Sequence, residues 1–466
     1  MRALLAFAAL ASITACRSAH ADDDWTAKLV ARADQISTKA AKLRGLAVIK
    51  PIAKGVMTDA QLRARIVESM DQDSTPAERA AETAMAKRWG LIPMRTDLEA
   101  LMIDLLTEQI AGFYDPKEGK LYVSAKPATD DNWADMIMAH ELTHALQDQH
   151  FGLEKWMAAV KDNADSSAAR QALVEGDGVA LMIEYLLAEQ GMGPPWEHDE
   201  IVRLMTGTMD AAVAGGDAHA TAGAEQLAAA PLAVREGMIF PYQAGVGFVA
   251  ALRRGQTWGT VDAAYARPPV STEQILHPAL YLAGEQPDVI TAPPGALHTG
   301  VWGEEGWRVF LRAHGVGAEK AASAAAGWGG DRVILTGGPQ AIASPGRATG
   351  VAMTTWDAPV DALEFWGALS SALDGLAVGS QVIAEPQRMV WLEIDGRVTA
   401  AELRDRQVAI VTGASALGWP TALADAWTWK IAWGDRPAAK PAALAQPAAA
   451  AKPAKPARAT KAKARR

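Results

Sequence analysis

Apolar residues recur at helical spacing through most of the first two-thirds of the chain and give way to alternating, strand-like runs in the last third. Trp25–Leu43 places Trp25, Leu29, Ile36 and Leu43 among charges, which predicts a helix. Thr58–Met70, opened by a Thr58/Asp59 cap, and Pro76–Trp89, with proline in its first turn, predict two more. Leu98–Ile110 is amphipathic and runs directly into Ala111–Tyr114 and Lys120–Val123. These read as short strands joined by a turn at residues 115–119, Asp-Pro-Lys-Glu-Gly. Asn132–Phe151 predicts a helix that Asp130 or Asp131 can cap and that no glycine or proline interrupts before Gly152. After a polar loop at Lys161–Ser167, Ala168–Gln190 predicts a long helix. Residues 191–235 are Gly/Ala-rich and low in pattern, a flexible insertion or lid, and Gly237–Arg253 reads as a packed helix.

Farther on, Ser271-Thr272-Glu273-Gln274 offers a helix start with a capping box. Gly327–Leu335, Val351–Pro359, Asp361–Trp366 and Arg388–Gly396 then alternate strands with helices. They predict an antiparallel sheet with a packing layer, whose tryptophans fill core rather than form a ligand box. The fold class expected is α+β: a mostly helical region with a short hairpin, then a mixed α+β part. The expected divisions are 1–21, 22–107, 108–299, 300–433 and 434–466. The segment 22–107 is read either as scaffold or as a pro-segment.

The strongest chemistry lies in Asn132–Phe151, which contains HELTH. His140 and His144 are four apart, so on a helix both imidazoles stack on one face and can reach one metal ion. Glu141 lies about 100° further round, near enough to hold a water at the metal without being a ligand. Trp133, Met136, Ile137, His140 and His144 fall at spacings of three and four and form an inward stripe. Histidine is scarce, nine residues in 466. Buried imidazoles need partners, and a metal satisfies both at once.

A third ligand is expected from the long helix. Ala172, Glu175, Val179, Met182 and Leu186 share a face, so Glu175 interrupts an apolar stripe, while Glu184 lies opposite. A lone buried carboxylate is costly, so Glu175 wants a cation. That cation is the metal or, on the structural alternative, Arg170 or Arg235. Gly176 and Gly178 each weaken a helix by about 1 kcal/mol relative to Ala, which makes sense where another backbone packs closely. His150, Glu154 and Asp177 are weaker third-ligand candidates, and His219 reads as a loop histidine. Asp148, one turn past His144, is a candidate to orient an imidazole. His277 and Tyr281 are candidate donors to an oxyanion, with Tyr242 and Tyr185 weaker ones; a capped helix with structural polar contacts is the alternative for the His277–Tyr281 segment and fits at least as well. The hairpin before the metal helix is either the edge that holds an extended substrate or a simple structural hairpin.

Composition adds the setting. Half the residues are hydrophobic and 21% are charged, ordinary for a globular protein. Arg2, the apolar run Ala3–Ala11 and the small residues after it read as a targeting signal over residues 1–21. Ile13-Thr14-Ala15-Cys16 resembles a bacterial lipobox, which would make Cys16 a lipidated first residue and a membrane anchor. Ala19-His20-Ala21 is the competing signal-peptidase site. Cys16 is the single cysteine of the chain, so no disulfide forms within it. From Arg436 onward the chain is mostly Ala and Pro with nine basic residues and no acidic ones, a composition expected to be disordered. With a net charge of −9 overall, that tail leaves about −18 on the remainder. The tail is read as a solvated linker or as a contact to an anionic envelope surface. No nucleic-acid module is expected.

Ala139–Asp148, AHELTHALQD, resembles the active-site helix of the thermolysin-like gluzincin peptidases. The resemblance implies a zincin-like catalytic region over 108–299, zinc on His140 and His144, and Glu141 as the general base. The Asn-Glu and Ser-Asp signature of that family is absent; the third-ligand segment here is Leu173–Gly178, so the resemblance points to another secreted bacterial branch. The function expected is an exported zinc metallopeptidase of the cell envelope, periplasmic, outer-membrane or secreted, acting on a peptide or protein. Alternatives are a zinc amidase or esterase on envelope substrates, or a non-catalytic lipoprotein with a structural zinc.

Overall fold

The HELTH helix, Asp131–Phe151, lies between two layers. One is formed by the helix Asp23–Arg44 and a small sheet, the other by the long helix Ala164–Glu189. The computed structural model describes residues 8–10, 23–124, 131–198, 200–203, 222–338 and 340–436. The expectations for Cys16, the cleavage sites, the Asp130 cap, His219 and the basic tail beyond residue 436 lie outside the described residues.

The fold is α+β. Helices form at Asp59–Asp73, Pro76–Arg88 and Leu98–Gln109, and the first two open on Thr58/Gln61 and Thr75/Glu78 capping boxes. Each box satisfies two backbone donors left over at a helix start, which fixes where those helices begin. The hairpin forms as Ile110–Asp115 antiparallel to Lys120–Ser124. Two further strands extend it. Ala53–Met57 pairs in parallel with Lys120–Ser124, and Ala8–Leu10 pairs antiparallel with the Ile110 strand. The segment 22–107 therefore contributes a strand to the hairpin's own sheet. Ala8–Leu10 falls within the stretch read as a targeting signal; an open sheet edge is a template for such an apolar extended run.

The long helix begins at Ala164, capped by the Asn163 side chain on Ser166 N, so it absorbs half of the loop expected at Lys161–Ser167. It packs most closely on Leu232–Arg253. The two backbones meet at glycines: a Cβ on Gly176 would lie 2.1 Å from the carbonyl carbon of Gly245, and one on Gly245 would lie 2.0 Å from Ala172 O. Gly178 has a different neighbour, since a Cβ there would sit 2.7 Å from the His140 ring. Both glycines that weaken the helix locally are thus occupied by close approach, one to a backbone and one to an imidazole.

The HELTH helix differs from the expected stripe. Every residue from Ile137 to Gln147 is buried, because one face packs on Ile36, Leu121 and Val123 while the other meets the long helix. A helix enclosed by two layers has no solvent face to keep polar.

The last third folds as expected into a seven-stranded antiparallel sheet. In order across the sheet its strands are His298–Gly300, Trp328–Thr336, Thr349–Trp356, Gln407–Ala414, Val398–Arg404, Arg388–Glu393 and Gly379–Glu385. Pro359–Ala377 covers one face, and Trp307, Trp328, Trp356 and Trp391 are fully buried in that core. No helix among the described residues is long and apolar enough to cross a membrane.

The helical body joins this sheet unit through a seam of buried carboxyls. Asp165 accepts from Thr272 N at 2.8 Å and Thr272 Oγ1 at 2.6 Å, and Asp331 accepts from Trp302 N, Gly303 N and Trp328 Nε1. Burial is the main cause that pushes Asp165 and Glu285 up to about 7, Glu305 to about 8 and Asp331 to about 6. Each therefore holds its proton more tightly in the folded than in the unfolded chain. Stability must then fall as pH rises, from the ordinary carboxylate range near about 4 to about 8. Thermal unfolding of chelator-treated protein is expected at a lower temperature at pH 8 than at pH 5. A midpoint that rises across that interval would contradict the seam's assignment.

Candidate metal centre

Three donor atoms converge between the HELTH helix and the long helix. His140 Nε2 and His144 Nε2 are 3.0 Å apart, and Glu175 Oε2 lies 3.2 Å from the first and 3.4 Å from the second. One helical turn separates the histidines, and the missing Cβ at Gly178 leaves room for the His140 ring against the neighbouring helix. All three residues are at most 1% exposed. Glu141, equally buried, shares the cluster: it, His140 and His144 offer ligand atoms within 4.8 Å of one another.

The triangle fits a small divalent ion. A tetrahedral zinc with bonds of about 2.0–2.1 Å sets its ligand atoms about 3.3 Å apart, and the three separations here bracket that value. Glu175 Oε1 is buried without a hydrogen-bond partner among the described residues, a costly arrangement for a carboxylate whose charge only the two imidazoles or a bound cation would balance. The arginines weighed as structural partners are engaged elsewhere: Arg170 bonds Trp156 O and lies over the Trp156 ring, and Arg235 bonds Ala228 O.

The charges are strongly coupled. Burial works against a charged His144, but the Glu175 carboxylate, the nearby Glu141 and the bond to Gln147 outweigh it and carry His144 up to about 9. Burial, with the charge on His144, pushes His140 down. Without a metal, one proton held at His144 and shared across the 3.0 Å contact would balance part of the acidic pair.

The surrounding residues correct several expectations. Asp148 accepts from the Tyr114 hydroxyl at 2.9 Å and from Leu153 N at 3.1 Å, so it ties the helix end to the hairpin. The imidazole is oriented by Gln147 instead, whose Oε1 lies 2.8 Å from His144 Nδ1 while its Nε2 donates to Val174 O. His277 pairs with Glu304 at 2.9 Å, and the Tyr281 hydroxyl donates to Arg267 O. Both sit at the short helices Thr272–Leu276 and Pro278–Ala283, where those bonds occupy them. The tyrosine that reaches the cluster is Tyr242, stacked on His140 with ring centroids 6.1 Å apart. Burial, together with the carboxylates of Glu175 and Glu141, holds its phenol protonated far above the ordinary range. Tyr185 belongs to the packing beside Lys39. Of the other ligand candidates, Asp177 pairs with Arg44, His150 bonds Ala47 O, and Glu154 lines a neighbouring cleft.

Glu141 has a defined seat. Tyr114 N, in the first hairpin strand, donates to its Oε2 at 3.0 Å, and a Cβ added at Gly112 of the same strand would lie 3.8 Å from its Cγ. The hairpin edge and the acid next to the histidines are therefore one unit.

Residues 291–423 match the family described as Domain of unknown function (DUF8575), which lies wholly C-terminal to this cluster. No curated protein and no solved structure matches the chain.

Proposed function

We propose that the chain is an exported zinc-dependent peptidase, with zinc held by His140, His144 and Glu175. The observation that carries this reading is the donor triangle of 3.0, 3.2 and 3.4 Å, with Glu141 seated beside it. Bound there, zinc would polarise a peptide carbonyl and lower a water's pKa toward about 7. Glu141, fixed by Tyr114 N, would accept that water's proton and return it to the leaving amine. Tyr242 would donate its retained proton in a hydrogen bond to the oxygen on which charge develops. The Ile110–Asp115 strand would hold the substrate in extended form. Loss of a signal over residues 1–21 would remove Ala8–Leu10, which pairs with that strand and packs against the HELTH helix, and so uncover it.

Burial of all four side chains at 1% exposure or less favours a second reading, in which the zinc is structural. Metal analysis and activity separate the two. The mature protein is expected to carry one equivalent of zinc, to cleave casein, and to lose cleavage on chelation and regain it with zinc. Glu175→Ala should fall well below one equivalent. Full occupancy with four protein ligands and no cleavage would favour the structural site. Full zinc retention in Glu175→Ala would remove Glu175 from the ligand set.

A further inference from the structure

A cleft of about 770 Å3 opens beside the candidate metal centre and shares Tyr114 with it. Six of its lining residues are acids: Asp73, Glu78, Glu82, Asp115, Glu154 and Asp162. Three are lysine or arginine, so the lining carries an excess of three negative charges. Two of those bases are committed to acids of the lining itself. Arg65 pairs with Asp115, and Lys117 lies 3.6 Å from Asp73. Burial still holds the Asp73 carboxyl above its ordinary range, although Lys117 works against it. Glu154 and Asp162 stand exposed, one on the helix Leu153–Ala158 and one beyond its end. A cavity with this charge lowers its own repulsion by taking up a polycation.

The chain carries such a polycation, and it starts close by. Residues 437–466 hold eight Lys or Arg and no Asp or Glu, and seven of the eight fall within Lys452–Arg466. Just before them the chain is pinned to the sheet unit. Arg436 pairs with Asp288 and Asp357, and its Nη2 donates to Gly329 O at 3.1 Å. Gly329 shares the strand Trp328–Thr336 with Leu335, whose carbonyl accepts from Leu297 N at 2.8 Å in the cleft wall. Six residues of strand at about 3.3 Å each put the pin about 20 Å from that wall. Lys452 lies sixteen residues past Arg436. A linker of that length reaches about 20 Å as a flexible coil and about 50 Å as extended polyproline, so either form spans the gap. Tethering at this range gives an effective concentration on the order of 1 mM. An intrinsic Kd of about 1 mM then half-fills the cleft from within, ahead of free polycations at lower concentration.

We propose that the basic run Lys452–Arg466 docks in this cleft of its own chain, with its lysines at Glu154 and Asp162. The inference stands on charge and reach, and it goes beyond the peptidase reading without using it. A water-soluble carbodiimide joins a lysine amine to a carboxylate in contact with it, and peptic digestion with mass spectrometry locates the links. In the purified mature chain, tail lysines are expected to link mainly to Glu154 and Asp162. The yield should fall at least about fivefold from about 0.1 M to about 1 M NaCl, as the screening length drops from about 10 Å to about 3 Å. In an equal mixture of heavy-isotope and unlabelled chains, the links should stay within one isotope. Glu154→Gln combined with Asp162→Asn should fold, since both side chains are exposed, and should lose the tail's links in the cleft. The salt and isotope readings use the unaltered chain and stand whether or not that double variant folds. Links scattered over the acidic body would make the tail a solvated linker, links between isotopes would seat it on a second copy, and no tail links would leave it to another surface. Each of these overturns docking within the chain, and cleft links that persist undiminished at about 1 M NaCl overturn its electrostatic basis. Zinc content and cleavage enter none of these readings, so the peptidase reading stands or falls separately.

Discussion

Glu141→Gln is expected to leave zinc bound and to cut casein turnover by about 10²–10⁴-fold, the range a positioned general base supplies. Glutamine matches glutamate in shape, and its carbonyl oxygen can still accept the Tyr114 N–H bond that holds Glu141 at 3.0 Å. The histidines and Glu175 lose no ligand atom. What disappears is the capacity to take up a proton next to the donor triangle. The loss should therefore fall on kcat and on kcat/KM together, because the missing interaction belongs to the transition state. Metal content and kcat of the purified variant check this. Wild-type turnover in a zinc-loaded Glu141→Gln would remove Glu141 from the chemistry, and an empty variant would show that the acid helps hold the ion.

Local sequence geometry carried the centre a long way, and its limits are instructive. HELTH names its own helix face, and Glu175 stood out because a carboxylate on an apolar stripe needs a partner. Gly176 and Gly178 marked the close approach that the structure fills with Gly245 and the His140 ring. The antiparallel sheet was equally readable, since alternation within each strand and short connections are local properties. Long-range placement was not. His277 and Tyr281 form a reasonable pair along their own segment, but Glu304 and Arg267 O, reached only by folding, take them. Tyr242 reaches His140 because its helix crosses the long helix at the glycines, and no spacing in its own segment encodes that crossing. Gln147 and Asp148 show a finer limit. At three and four residues past His144, both lie on the same side of the helix, and only the position of Tyr114 decides which one is left for the imidazole. The strand Ala53–Met57 was missed because its pairing is parallel and distant, with no turn to announce it.

Removing one charge deep in the scaffold should cost more than any surface change. Arg44 is fully buried at the end of the first helix, with Nε 2.7 Å from Asp177 Oδ1, Nη2 3.0 Å from Asp177 Oδ2 and Nη1 2.8 Å from Asp262. Its guanidinium also lies over the Trp258 ring, 4.4 Å from the centroid. Asp177 in turn accepts from the Tyr265 hydroxyl at 3.0 Å. Arg44→Met keeps most of the volume but strands a fully buried carboxylate, so a loss of about 3–5 kcal/mol is expected in urea unfolding. Adding Asp177→Leu removes the stranded charge. The double variant should recover most of the loss, short of about 1–3 kcal/mol for the orphaned Tyr265 hydroxyl. Equal stability of the single and double variants would show that lost packing, and not the unpaired charge, sets the cost. The same pair bears on the site, because Asp177 stands two residues from Glu175 on one helix, and a charge stranded there would pull that helix toward solvent. Zinc affinity should therefore fall in Arg44→Met and return with the second substitution, so that metal content tracks stability across the three proteins.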